Sequence, residues 1–144
     1  MLNPGFRIFL FLLVISIHGI LPAQTYSLTL TIEGIKEAKG NMRIGMFNDS
    51  EDFLETGSEF RVACVSVDST TLIVVFDSLP EAIYGISLYH DLDTSGEINK
   101  NFIGFPVEPW GISNDAWRRL SAPRWQEAAF KMDAHKAIVI HLRH

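Results

Sequence analysis

The sequence contains one cysteine, Cys64, so no disulfide can close within the chain. A fold of this kind outside the cytoplasm has to rest on its apolar core, on bound metal, or on both. Cys64 lies in the apolar stretch Phe60-Arg61-Val62-Ala63-Cys64-Val65 and is expected to be a small buried hydrophobe rather than a reactive thiol. Basic residues are outnumbered, 12 Lys and Arg against 17 Asp and Glu, for a net charge of −5, which argues against nucleic acid or anionic lipid as partner. No Gly-x-Ser-x-Gly elbow, His-Glu-x-x-His helix, phosphate-cradling glycine loop or cysteine pair occurs, so no catalytic constellation stands out. A membrane-spanning run is missing too. The apolar stretch Ile8 to Ile17 is broken by His18, Gly19 and Pro22, short of the roughly 20 residues a spanning helix needs.

That stretch has the form of an export signal. A weakly basic start with Arg7 precedes an apolar core of signal-peptide length, and Ala23 offers a small residue at a cleavage point. Residues 1–23 are therefore expected to be a signal peptide and 24–144 a single mature domain, periplasmic or secreted, with no transmembrane anchor after cleavage. The single cysteine, Cys64, lies deep in the mature part, so none stands just after the apolar core to carry a lipid. Cleavage takes the net charge from −5 to −6, because Arg7 is lost and no Asp or Glu precedes Gln24.

The mature part is patterned as short strands. Tyr26, Leu28, Leu30 and Ile32 alternate with polar residues over Tyr26 to Glu33, the period of a half-buried strand. Lys39-Gly40-Asn41 supplies hairpin chemistry ahead of a second strand at Met42 to Phe47, in which Gly45 marks a bulge or close packing. Further strands are expected at Phe60 to Val67, Thr71 to Phe76, Ile83 to His90 and Ala137 to Leu142. Short helical turns fit Asn48 to Glu55, Ser113 to Leu120, and Pro123 to Phe130. Many short strands without a long helical period predict a mainly β fold, an antiparallel β-sandwich of immunoglobulin-like or transthyretin-like kind. The segment Asp77-Ser78-Leu79-Pro80 with its following Tyr-containing strand resembles transthyretin-like sandwiches.

Asp91-Leu92-Asp93-Thr94-Ser95-Gly96-Glu97-Ile98-Asn99 places oxygen-bearing side chains at loop positions one, three, five and nine, with glycine at six. A hard cation such as calcium takes six to eight oxygens, and this spacing turns alternate side chains toward one point. Asp91, Asp93, Ser95 and Asn99 are the candidate side-chain ligands, and Glu97 can add its backbone carbonyl. Position twelve, a bidentate Glu in an EF-hand, is Phe102, and a strand rather than a helix leads in. A missing ligand must come from farther on, with Asn101 and Glu108 the nearest candidates. A solvated acidic turn accounts for the same residues, since Asp, Ser and Gly are good turn formers.

His90-Asp91-Leu92-Asp93, Gly96, Asn99, Gly104-Phe105-Pro106, Glu108-Pro109 and Gly111-Ile112-Ser113-Asn114, with the N-terminal strands and Ala128-Ala129-Phe130, resemble the exported bacterial family called domain of unknown function 2141. The resemblance implies a compact exported domain with an acidic loop. It brings no activity, substrate or catalytic residue to carry over.

Other candidate residues have structural readings. His90 and Asp91 are adjacent on a strand and so point to opposite faces, which disfavours an acid–base pair. His135, His141 and His144 are not spaced as a metal cluster. Trp110, Trp117 and Trp125 are expected to pack, or else to present an aromatic platform to a protein or glycan ligand. The leading expectation is an exported, calcium-binding module with a binding or structural role in the cell envelope. The alternative is an envelope hydrolase using Glu108 and an acidic loop partner.

Overall fold

The computed structural model describes residues 23–144, so the expected signal peptide lies, apart from Ala23, outside the described residues. In chain order the strands are β1 (Thr25–Glu33), β2 (Asn41–Phe47), β3 (Arg61–Ser66), β4 (Leu72–Pro80), β5 (Ala82–Asp91), β6 (Trp110–Ile112), β7 (Phe130–Met132) and β8 (Lys136–His141). A 3-10 turn spans Ser113–Asp115 and one helix, α1, spans Trp125–Ala128. Two sheets face each other, one ordered β4-β1-β8, the other β3-β2-β5-β6 with β7 on the early part of β5. The mainly β sandwich expected from the strand pattern is what forms. Every named pairing is antiparallel except β1 with β8, which is parallel.

Alternation explains the layering. Leu28, Leu30 and Ile32 of β1 meet Met42, Ile44 and Met46 of β2 and Tyr84, Ile86 and Leu88 of β5 in one core between the sheets, while the intervening residues face outward. The hairpin expected between the first two strands does not form. Both edges of β1 are occupied, by β4 and β8, and the segment from Gly34 to Gly40 carries the chain across to the opposite sheet. Gly40 lies in the left-handed region at φ +70°, and its carbonyl accepts the Val67 N–H at 3.0 Å.

The helical turn expected at Asn48 to Glu55 is a non-helical turn instead, with Phe53 stacked edge-on between Phe47 and Trp125. Of the expected turns at Ser113 to Leu120 and Pro123 to Phe130, only Ser113–Asp115 and Trp125–Ala128 are helical. The Gly111-Ile112-Ser113-Asn114 motif turns out to be a structural clasp. A Cβ on Gly111 would stand 2.6 Å from Ile140 Cγ2. The buried Ser113 Oγ accepts the Ile86 N–H at 2.9 Å and donates to the Ala128 carbonyl at 2.6 Å. Asn114, left-handed at φ 60°, donates its amide to the carbonyls of Glu127 and Ala129.

Cys64 corrects the expectation of a buried thiol. On β3, Val62, Cys64 and Ser66 share the outward face, so the apolar run around Cys64 is an edge strand and not a core strand. We therefore expect the native protein to react with a thiol-specific chromogen within the mixing time of an ordinary assay, without denaturant. Stoichiometric labelling only after unfolding would restore the buried reading.

Candidate metal centre

The acidic loop joins β5 to β6, and its position follows from strand register. Tyr89 faces Trp110 across this pair, and the His90 N–H donates to the Pro109 carbonyl at 2.8 Å. Continuing that register by one step sets Asp91 opposite Glu108. The two carboxylates thus stand as a like-charged pair at the neck of the loop, an arrangement that destabilises a sheet unless something cancels the charge.

Both neck carboxylates are withdrawn from solvent, Asp91 to 0% and Glu108 to 5% relative exposure. Asp91 Oδ2 accepts Arg43 Nε at 2.8 Å and the Gly96 N–H at 3.0 Å, and Oδ1 accepts the Ser95 N–H at 3.0 Å. Glu108 Oε1 accepts the Leu92 N–H and Oε2 the Asn99 N–H, each at 3.0 Å. Asp93 is exposed, with Oδ1 on the Ser95 N–H at 3.1 Å and Oδ2 on the Asn99 side-chain amide at 2.9 Å. Hydrogen bonding from Ser95 and then Asn99 holds the Asp93 carboxyl below the usual carboxylate range.

One oxygen from each of Asp91, Asp93 and Glu108 lies within 4.8 Å of the other two. Oxygens on opposite sides of a calcium ion bonded at about 2.3–2.6 Å stand up to roughly 5 Å apart, so this spread suits one such ion. A carboxylate offers about four lone-pair sites. Asp93 and Glu108 each use two and so retain acceptor capacity.

The remaining expected ligands are placed differently. Asn99 turns its amide nitrogen to Asp93, which braces that carboxylate. Ser95 serves through its N–H, while its hydroxyl donates to the Glu97 carbonyl at 3.1 Å, and the Glu97 side chain is exposed. Asn101 closes the turn of the outer hairpin, accepting the N–H groups of Ile103 and Phe105 on its Oδ1. Gly96 sits at φ +90° above the Arg43 guanidinium, and Tyr89 donates its hydroxyl to the Gly96 carbonyl at 3.0 Å.

Arg43 is the site residue that spacing along the loop does not reveal. It lies on β2 opposite Tyr89, diagonal to Asp91, and only the β2–β5 register brings it to the carboxylate.

The histidines are dispersed. His90 points into the sandwich, where Nε2 lies 2.6 Å from the Lys39 carbonyl; a carbonyl only accepts, so that nitrogen carries the hydrogen. His135 Nδ1 accepts the Ser27 N–H, and His144 Nε2 is paired with the Gly34 carbonyl. His141 bonds Asp115 at 2.7 Å through Nδ1 and lies 3.4 Å from Glu33 through Nε2. Asp115 first, and Glu33 beyond it, raise the His141 pKa above its usual 6.5. A raised folded pKa gives stability that is fully present below about pH 6.5 and lost as pH rises through the folded value. We expect the imidazole titration followed by proton NMR to move to lower pH in Asp115→Asn. An unchanged midpoint would mean that the ion pair does not persist in solution.

The three tryptophans separate. Trp125 and Phe53 cover Gly85 on the outer face of the larger sheet. Trp110 is half-buried on β6, and Trp117 is 52% exposed with the Arg143 guanidinium 5.3 Å from its ring centroid.

The family model described as "Uncharacterized protein conserved in bacteria (DUF2141)" matches residues 30–140. The chain belongs to this bacterial family, as the motifs from His90 to Asn114 anticipated. No curated protein and no solved structure matches it.

Proposed function

We propose that this family member is an exported β-sandwich module of the cell envelope whose β5–β6 loop binds one divalent cation, calcium by size and ligand chemistry. The observation that supports this reading is the convergence of Asp91, Asp93 and Glu108 to within 4.8 Å, drawn from both ends of the loop. Arg43 offsets one of the three charges, and a cation bound by Asp93 and Glu108 would offset the others. The cation's role is structural: it closes the neck and sets the pose of the outer hairpin from Asn99 to Val107. The hydrolase reading finds less support. Glu108 is buried, with an amide hydrogen on each of its oxygens, rather than set in an open cleft.

Calcium should raise the melting temperature of the mature protein, because a ligand held only by the folded loop stabilises by mass action, about 2.7 kcal/mol at a hundredfold excess over its dissociation constant. Magnesium should do less, since it demands shorter bonds and near-octahedral geometry. Coincident melting curves in millimolar calcium and in chelator would overturn the proposal.

A further inference from the structure

The outer face of the five-stranded sheet is covered at one end by Phe53 and Trp125 over Gly85, and at the other by the acidic loop over Arg43. Between them runs a groove of about 1370 Å³, floored by Gly45, Ser87 and Tyr89 and flanked by Trp110 and Trp117. Its volume exceeds the roughly 300–1000 Å³ of small-molecule sites, which points to an extended occupant.

Charge is segregated into this groove. Arg43, Lys100, Arg118, Arg119 and Arg143 line it, five of the chain's 12 basic residues, against Glu59 and Glu97, two of its 17 acidic ones. Arg43 and Arg118 are paired with Asp91 and Glu127. Lys100, Arg119 and Arg143 make no ion pair with a carboxylate among the described residues. With Arg43 and Arg118 neutralised by their partners, these three cations stand against Glu59 and Glu97, a small local excess of positive charge on a protein of net negative charge, which favours an anionic partner.

We propose that the groove docks an extended acidic segment of a partner protein, with acidic side chains on Lys100, Arg119 and Arg143 and apolar side chains against Trp117 and its neighbours. Exposed Val62, Ile103 and Leu120 also line the groove and are anchors for aliphatic or aromatic side chains, which a sugar strand would not use. Arginine and aromatic enrichment with few acids is also the composition of the energetic centre of protein–protein interfaces. This proposal extends the binding role above by naming the partner's chemistry. It rests on the calcium reading only for the pose of the wall carrying Lys100 and Ile103.

The probe is a short synthetic peptide alternating Glu with Leu and Tyr, added to the mature protein in calcium and in chelator, with the three indole N–H signals followed by NMR. The Trp110 and Trp117 signals should shift while Trp125, outside the groove, stays in place. Arg119→Gln combined with Lys100→Gln should weaken binding at least about tenfold at low salt with little change in melting temperature, since both side chains are exposed and in no ion pair among the described residues. Equal shifts with a peptide carrying Lys in place of Glu, or no shift at Trp110 and Trp117, would overturn the proposal. Oligogalacturonate shifting those signals where the peptide does not would overturn it in favour of an acidic glycan. Calcium is read separately, from the Ser95 and Gly96 amides, so failure of the metal site and failure of the groove are distinguishable.

Discussion

Gly40→Ala should destabilise the protein by about 2–5 kcal/mol, through two independent penalties. At φ +70° an alanine is held in the left-handed region, and its Cβ would collide with the Asp91 carbonyl oxygen and crowd Leu92 Cα at 3.0 Å. Backbone cannot rotate away as a side-chain tip does, so either the link before β2 or the end of β5 must move. That movement would displace Asp91, which heads the acidic loop. Gly57→Ala is the control, since Gly57 is also left-handed at φ +90° but has nothing within 4 Å of a Cβ. It should cost only the conformational part, roughly 1–2 kcal/mol. Denaturant midpoints measured side by side test this, and equal losses at the two glycines would show that the contact with Asp91 is not tight.

Glu108→Gln should cost about 1–3 kcal/mol without calcium and more with it. Glutamine retains one acceptor oxygen but turns an NH2 toward an amide N–H, so either Leu92 or Asn99 loses its partner in a buried place. On the proposed calcium reading the substitution also removes a charged ligand, so any calcium-dependent gain in melting temperature should shrink or vanish. The two effects separate in a comparison of wild type and variant, each in calcium and in chelator. A variant that loses stability equally in both conditions would make Glu108 a brace for the loop and not a ligand.

How far the sequence reveals this depends on the range of the interactions. The alternation of β1 and β2 identifies Leu28, Leu30, Ile32, Met42, Ile44 and Met46 as core because period two needs only neighbouring residues. The pairing of β1 with β4 and β8, rather than with β2, depends on how both edges of β1 are filled, which no local signal carries. The three-residue strands β6 and β7 are too short for periodicity to show. That gap matters most at the site, because β6 is what returns Glu108 to face Asp91. Asp91, Asp93 and Glu108 were legible as acids in a turn-rich segment. Arg43 was not, since its role exists only in the register between β2 and β5. Cys64 misled because an apolar run on an edge strand looks like one in the core.

Calcium titration of residues 24–144 followed through backbone amide NMR signals tests most directly whether a single cation closes the loop neck. The amides of Leu92 and Asn99 donate to Glu108, that of Gly96 to Asp91, and that of Ser95 to both Asp91 and Asp93. They should shift together and saturably, with one dissociation constant at or below about 10⁻³ M, the weak end for extracellular calcium modules. Signals from β1 and β8 should stay in place. Amides that remain unmoved through millimolar calcium, or that drift without saturation along with the rest of the acidic surface, would mean that no cation closes the neck and leave the loop a hydrogen-bonded turn.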